Sequence, residues 1–266
     1  MAPSECKSKE YQTIKFIRDE SQDFAEVIFA RSDVRNAFNA EMIEELIDVF
    51  SSLKNDNKLR ALFISGEGKN FCAGADLNWM KKSATYSEEE NLKDARRLSL
   101  LFKTLNELDT FTVAFAHGAT MGGGLGLLCA ADHVVCSRDF VGALSEVKLG
   151  LIPAVISPYV ISKMGQAAAR SLMISGRRFS AHDAFHYNLA TKLVESQNDF
   201  AEEKKKIKEE LNLASPLSIK KSKELFFNAF MGEEKLCSLI AQLRTTENAQ
   251  EGMKAMLEKR KASWVK

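Results

Sequence analysis

Short apolar runs alternate with amphipathic helical segments through the first half of this chain, and several of the runs lead into glycine. The apolar runs predict four strands, at 25–30, 59–66, 112–118 and 132–137. Apolar residues at helical spacing predict two long helices, over 39–56 and 87–108. Strands that alternate with helices in this way form parallel sheets covered by helices, so we expect an α/β fold.

The second half of the chain has a different character. From about residue 157 onwards helical periodicity dominates and strand-like runs almost disappear. Ser215 followed by Pro216 is a typical helix start, and the segment 245–264 predicts a last helix with a basic end. The C-terminal region is therefore expected to be helical.

Charge and cysteine content narrow the class of protein. Lys and Arg number 37 against 36 Asp and Glu, so no basic excess points to a nucleic acid or a membrane surface. The first twelve residues lack the apolar core of a signal peptide. The cysteines are odd in number and form no Cys-x-x-Cys pair; they are Cys6, Cys72, Cys129, Cys136 and Cys237. We expect a cytoplasmic protein with free thiols and no membrane span.

Two predicted strands run into glycine turns, one over 67–80 and the other over 118–128. Glycines allow close approach of a ligand to the main chain, and a following helix N-terminus adds partial positive charge. N–H groups from both turns could bind one oxygen that becomes negative during a reaction. Ordinary strand-to-helix turns explain the glycines equally well. Neither turn matches the glycine patterns of nucleotide phosphate loops.

Four segments together resemble a known family: "FCAGADLNWM" (71–80), "HGATMGGGLGLLCAAD" (117–132), "SEVKLGLIPAVISPYV" (145–160) and "EGMKAMLEKRKASW" (251–264). In this order they are similar to the enoyl-CoA hydratase/isomerase (crotonase) superfamily, over nearly the whole chain. Within it, "GADLNWM" and "SEVKLGLIPAVISP" most resemble the bacterial methylglutaconyl-CoA hydratases of leucine breakdown.

The resemblance implies a fold, an assembly and an oxyanion site. It implies a spiral of ββα repeats over 1–200 that carries an acyl-CoA site, and a helical trimerisation region over 201–266. The assembly is expected to be a homotrimer or a dimer of trimers. Ala75 and Gly123 are implied as backbone N–H donors to the thioester oxygen, and coenzyme A enters as part of the substrate rather than as a separate cofactor.

The resemblance also implies two acids in a hydratase, and this chain has only one of them. Glu146 stands at the second position, whereas Gly126 stands at the first. Hydration with a single acid requires that Glu146 take a proton from water and deliver it to carbon. Double-bond isomerisation needs only one base and fits Glu146 directly, but the resemblance favours a hydratase. Gly126 is expected to leave room for a branched acyl group and to spare a distal carboxylate from repulsion.

Further residues are implied as coenzyme A contacts. Ala73, Asp76 and Leu77 are expected near the adenine, and Asp76 is also expected to cap a helix. Arg35 and Lys259 are candidates for the phosphates, with Lys259 acting on the ligand of a neighbouring protomer.

Other features have a functional and a structural interpretation. Trp79 and Met80 either line the acyl pocket or belong to the core. Cys72 and His117 lie beside the glycine turns without a partner for nucleophilic catalysis, so both are expected to be structural. His182 and His186 lie four residues apart without a third ligand, and we expect no metal.

The lysine-rich runs 202–210 and 220–224 are typical of a solvated helix face. They have no interleaved aromatic residues of the kind that stack on RNA bases. A non-catalytic relative that binds acyl-CoA or RNA is the alternative from another class.

Overall fold

The computed structural model describes residues 10–227 and 232–265. Within these residues nine strands form two sheets: β1 Ile14–Arg18, β2 Phe24–Phe29, β3 Ala61–Gly66, β4 Phe111–Ala116, β5 Ala119–Met121, β6 His133–Ser137, β7 Val141–Ala143, β8 Arg178–Ser180 and β9 Lys192–Val194. The larger sheet has the order β1-β2-β3-β4-β6-β9, and the smaller has the order β5-β7-β8.

Ten α-helices accompany these strands in the same part of the chain: α1 Ala40–Leu53, α2 Leu77–Ser83, α3 Glu88–Asn106, α4 Gly123–Ala130, α5 Ser157–Ser175, α6 Ala181–His186, α7 Phe200–Leu213, α8 Pro216–Phe227, α9 Glu233–Arg244 and α10 Glu247–Leu257. Asn39 caps α1 by accepting from the Met42 N–H, and Ser87 forms a capping box with Glu90 at the start of α3. These local signals explain why both predicted helices form where the sequence placed them.

The larger sheet is parallel except for β1, and both of its faces are buried. Alternate residues of each strand point to opposite faces. Phe24, Phe63 and Phe115 pack on one face with Ile207 of α7. The residues between them, such as Ile64, join the main core with α1 and α3. Burial on both faces explains the nearly continuous apolar strands of the sequence.

The chain passes repeatedly from the larger sheet to the smaller one and then into a helix. β4 leads to β5 and α4, and β6 leads to β7 and α5. After β3, Cys72 pairs with Thr120 of the smaller sheet before α2 begins. The predicted α/β fold and its spiral of ββα repeats are confirmed.

A buried side chain of the sheet binds the helical C-terminal region. Arg60, at the N-terminal end of β3, is only 2% exposed. Its guanidinium donates to the carbonyls of Leu211 and Ala214 and, at 2.7 Å, to that of Trp264. The last predicted helix is shorter than expected, since α10 ends at Leu257. The strands β8 and β9, of three residues each, were not predicted.

One expectation about the lysine-rich run 220–224 is wrong. Lys220 and Lys223 are buried and form ion pairs with Asp109 and Asp132 at 3.1 and 2.7 Å. They face the core because α8 turns this side toward the N-terminal ends of β4 and β6. The run is therefore a packing surface rather than a solvated one.

Cys72, Cys129 and Cys136 are buried free thiols and Cys237 is an exposed one, whereas Cys6 lies outside the described residues. Over the residues that the structure describes, no helix is long and apolar enough to cross a membrane.

Candidate active site

The turn after β3 is held open by backbone bonds to a neighbouring loop. The Phe38 N–H donates to the Gly74 carbonyl at 2.7 Å, and the Asp76 N–H donates to the Phe38 carbonyl at 2.8 Å. Ala75 lies between these two bonds and is exposed. Among the described residues no acceptor meets its N–H, which is therefore available to a ligand.

Asp76 fixes the end of this turn through its side chain. The carboxylate accepts from the N–H groups of Asn78 and Trp79 at the start of α2, and Arg31 pairs with its other oxygen at 2.9 Å. Burial raises the pKa of Asp76, but the Arg31 hydrogen bond and the two N–H groups outweigh it and hold the pKa below its ordinary value. The predicted helix cap is confirmed, and the carboxylate is not free for catalysis.

The second glycine turn lies beside the first. Thr120 pairs with Cys72, and the Met121 N–H donates to the Cys72 carbonyl at 2.9 Å. Gly122 has a φ of 48°, a left-handed value that favours glycine, and its N–H donates to Ala143. Gly123 then begins α4, where the first N–H groups lack helical partners. In the described part of the chain its N–H meets no acceptor, so both predicted oxyanion donors are unoccupied.

Glu146 brings the carboxylate to this turn. A short 3-10 helix begins at Glu146, directly after β7, and Oε1 lies 3.2 Å from the position that a Cβ on Gly122 would occupy. Oε2 is buried and has no hydrogen-bond partner among the described residues. Burial raises the pKa of this carboxyl above its ordinary value, and a backbone hydrogen bond only partly opposes it. A carboxylate with a raised pKa and a free oxygen suits proton transfer.

The place of a second acid is filled by packing. A Cβ on Gly126 would overlap Cγ2 of Ile156 and lie 2.8 Å from Cε1 of Phe102. The Phe102 ring is fully buried and lies 6.0 Å from the ring of Tyr159. The expected room for a branched acyl group at Gly126 is absent, because these two side chains occupy it. Neither Phe102 nor Ile156 was singled out from the sequence.

Cys72 and His117, which were expected to be structural, are both buried in the fold. Cys72 is fully buried, and burial raises the pKa of its thiol to about 12, which leaves it un-ionised at neutral pH. His117 is buried, with Nε2 3.0 Å from the Gly68 carbonyl, and burial lowers its pKa. It orders the loop before the turn.

Four of the five implied coenzyme A contacts, including Asp76, gather at the first turn. The Ala73 N–H donates to the Arg35 carbonyl at 3.0 Å, which places Arg35 beside the turn with its side chain exposed. Leu77 is 74% exposed at the start of α2. An exposed cation and an exposed apolar side chain next to free main chain suit a nucleotide.

Lys259 is the remaining implied coenzyme A contact. It follows α10, and nearby Trp264 is bonded to Arg60 at the N-terminal end of β3. The Ala75 turn follows the C-terminal end of the same strand, which spans about 17 Å. The phosphate contact of Lys259 with the ligand of a neighbouring protomer stays a prediction.

Trp79 is half-buried and packs against the core. It also borders a hollow of about 430 Å³ beside Arg31 and Asp76. Met80 is half-buried and does not line this hollow. The roles of both residues in an acyl pocket stay predictions. The described residues contain no group of three or more His, Cys, Asp or Glu arranged to hold a metal.

Within the described residues, a ββα fold thus presents two unpaired backbone N–H groups beside one glutamate. Residues 19–266 match the family described as enoyl-CoA hydratase/isomerase, and the chain belongs to this family.

The proteins to which this chain is similar include some named as hydratases and some named as isomerases. An enoyl-CoA hydratase from Shewanella pealeana is 36% identical, with a TM-score of 0.89 over 96% of this chain and 97% of that one. An enoyl-CoA hydratase/isomerase from Marinobacter aquaeolei is 26% identical, with a TM-score of 0.90 over 96% and 99%. A mitochondrial Delta(3,5)-Delta(2,4)-dienoyl-CoA isomerase of Dictyostelium discoideum is 27% identical over 82% of this chain and 77% of its own.

Proposed function

We propose that this protein adds water to a 2-enoyl-CoA thioester. The observation that carries the proposal is the convergence of the free N–H groups of Ala75 and Gly123 with the unpartnered Glu146 carboxylate. The N–H groups bind the thioester oxygen, whose negative charge grows as the enolate forms. The carboxylate is the one group of this constellation that can move a proton.

In the proposed reaction Glu146 acts twice. The ionised carboxylate removes a proton from water while the water oxygen bonds to Cβ of the substrate. The electrons of the double bond shift toward the thioester oxygen, held by Ala75 and Gly123. Glu146 then returns the proton to Cα, and the carboxylate is regenerated. A raised pKa assists the first step, because it makes the Glu146 carboxylate a stronger base toward water.

The substrate we propose is 3-methylglutaconyl-CoA, in leucine degradation. Support comes from the resemblance of the segments 74–80 and 145–158 to hydratases of that substrate. The absence of an acid at Gly126 fits a substrate with its own distal carboxylate, because a second anion there would repel it. Buried free thiols fit the reducing cytoplasm, where we place the activity.

A second candidate, enoyl-CoA isomerisation, is favoured by the packing at Gly126. With Phe102 and Ile156 in that place, one carboxylate serves the site. Moving a proton from one carbon to another needs a single base, and the relative from Dictyostelium discoideum is named as an isomerase.

The two candidates are separated by following the absorbance of the conjugated enoyl thioester. We expect loss of the band with 3-methylglutaconyl-CoA and crotonyl-CoA, and no loss with the Glu146→Gln variant. Growth of the band from a 3-enoyl-CoA alone would establish isomerisation instead. No change with any of these substrates would contradict both candidates and favour a non-catalytic acyl-CoA-binding protein.

We also propose a homotrimer or a dimer of trimers. Apolar side chains are exposed on the segment after Glu146 and on α5, including Leu151, Ile152 and Ile174. Exposed apolar side chains of this size are typical of surfaces that a partner covers. Sedimentation equilibrium of the full chain gives the subunit number, and a monomer would contradict the proposal.

A further inference from the structure

One face of α4 connects the carboxylate to a separate cavity. Gly126 and Ala130 lie one turn apart on α4, and Gly122, the residue before the helix, accepts the Gly126 N–H at 3.1 Å. The Glu146 carboxylate lies over Gly122. Ala130, about 12 Å further along at 1.5 Å per residue, lines a cavity of about 860 Å³.

This cavity has the size of a ligand pocket and mainly apolar walls. It lies where the ends of α3 and α4 meet the first turns of α5 and one side of α8. Its lining includes Asn106, Phe111, Tyr159, Lys163 and Ile219. It is distinct from the hollow beside Trp79.

The cations at this cavity are already engaged. Lys163 donates to the carbonyls of Ala131 and Asp132 at 2.9 and 2.8 Å, and Lys223 pairs with the Asp132 carboxylate. Each ammonium therefore meets acceptors from the protein itself. The surface that the cavity offers to a ligand is apolar, which suits an alkyl chain better than a free anion.

Two successive rings separate the carboxylate from this cavity: Phe102, which lies over Gly126, and Tyr159, which lines the cavity. Phe102 and Ile156 fill the space over Gly126, between the two ends of the α4 face. The Phe102 ring extends from Gly123, with Cζ 3.7 Å from the position of a Cβ there, to the ring of Tyr159. Tyr159 in turn lines the cavity. Phe102 thus has the turn at Gly123 on one side and the cavity-lining ring of Tyr159 on the other.

We propose that Phe102 is a partition that makes this site selective for short acyl groups by closing it off from the cavity. The inference rests on the proposed acyl-CoA function, because it concerns the acyl group that Glu146 meets. Removing the ring leaves only Tyr159 and Ile156 between the space beside Glu146 and the cavity, and it gives a longer chain an apolar space. Each methylene that enters it is expected to improve binding about fourfold.

Titration calorimetry with saturated acyl-CoA thioesters tests this without requiring a reaction. Butyryl-CoA, hexanoyl-CoA and decanoyl-CoA are titrated into wild type and Phe102→Ala. We expect wild type to bind butyryl-CoA at least tenfold more tightly than decanoyl-CoA, and the variant to reverse this order. Phe102→Leu, which keeps an apolar side chain in the core, is expected to shift the ratio in the same direction by a smaller factor.

Two controls separate the partition from a general loosening of the fold. Phe50→Ala removes an equally buried ring from α1 and should leave the ratio unchanged. Adding Ser162→Trp, at an exposed position on the cavity wall, should cancel the gain of Phe102→Ala.

Equal binding of short and long chains by wild type, or an unchanged ratio in both Phe102 variants, would overturn the inference while leaving the proposed function intact. Failure of wild type to bind any of these thioesters would overturn the proposed function itself, and the inference with it.

Discussion

Gly122, which immediately precedes α4, and Gly126, one turn later in that helix, have opposite surroundings. The side of Gly122 that a Cβ would occupy faces the Glu146 carboxylate at 3.2 Å, with a free oxygen beyond it. The same side of Gly126 is closed by Phe102 and Ile156. The lack of a side chain at Gly122 leaves space for the Glu146 carboxylate, and its lack at Gly126 leaves space for two side chains of the core.

This difference shows that a missing side chain does not by itself create a binding space. At Gly126 the side chains of Phe102 and Ile156 pack directly against α4, because burial of apolar side chains stabilises such close contact. At Gly122 a left-handed φ of 48° turns the main chain so that the next N–H stays free. The free N–H and the nearby carboxylate therefore depend on the turn at Gly122, whereas the space beside Gly126 depends on the packing of Phe102 and Ile156.

The largest effect is expected from removing the carboxylate at the Gly122 side. Glu146→Gln keeps the shape of the side chain but cannot accept a proton, so kcat should fall by about 10²- to 10⁴-fold. The affinity for butyryl-CoA should change little, since that ligand demands no proton transfer. Steady-state kinetics and calorimetry on the same preparation check both statements. Retention of kcat within a few-fold would show that another group is the base.

A smaller loss is expected from removing one N–H of the oxyanion site. Proline is tolerated at the first position of a helix, so Gly123→Pro should remove the donor while α4 persists. We expect kcat to fall by about 10²- to 10³-fold.

Gly123→Ala is the matched control for that variant. It adds a Cβ at the same place, 3.1 Å from the Phe38 ring, but keeps the N–H. Equal losses in the two variants would attribute the effect to crowding against Phe38 rather than to the donor.

The packing around Gly126 is tested by measuring the free energy of unfolding rather than a reaction rate. Gly126→Ala forces a Cβ onto Ile156, and overpacking of this kind typically costs about 1–3 kcal/mol in the free energy of unfolding. Chemical denaturation measures it. Ile156→Ala should make the same change less costly, so the two substitutions are expected to be non-additive. Additivity would contradict the contact described here.

The smallest effect is a pH-dependent difference in stability at Glu146. Its pKa is raised in the folded protein, so ionising it opposes folding, and this cost is complete above the folded pKa and absent below the unfolded pKa. Glu146→Gln should therefore have a higher Tm than wild type at neutral pH, and the difference should vanish at acidic pH. Activity should fall on acidification through a pKa above that of an ordinary glutamate. Thermal unfolding and rate profiles across this range check the sign.

The sequence predicted much of the fold because its strongest signals are local. Asn39 and Ser87 cap helices with their immediate neighbours, and Glu146 and the glycine turns follow strands that end at known positions. Strands of three residues, such as β8, are too short to show a period.

The packing of side chains over Gly126 could not be predicted from the sequence, for a different reason. Phe102 belongs to α3 and Ile156 immediately precedes α5, and only the packing of these segments on α4 shows where their side chains end. Residue spacing along the chain carries no signal for such contacts.

Arg60 has a consequence for how the chain is made. Its guanidinium sits at the start of β3, early in synthesis, but one of its carbonyl acceptors belongs to Trp264. A buried guanidinium without acceptors is costly, so the sheet cannot reach its final stability while residue 264 is still untranslated. Ribosome-bound chains that lack this segment are expected to hold the strands in a looser state.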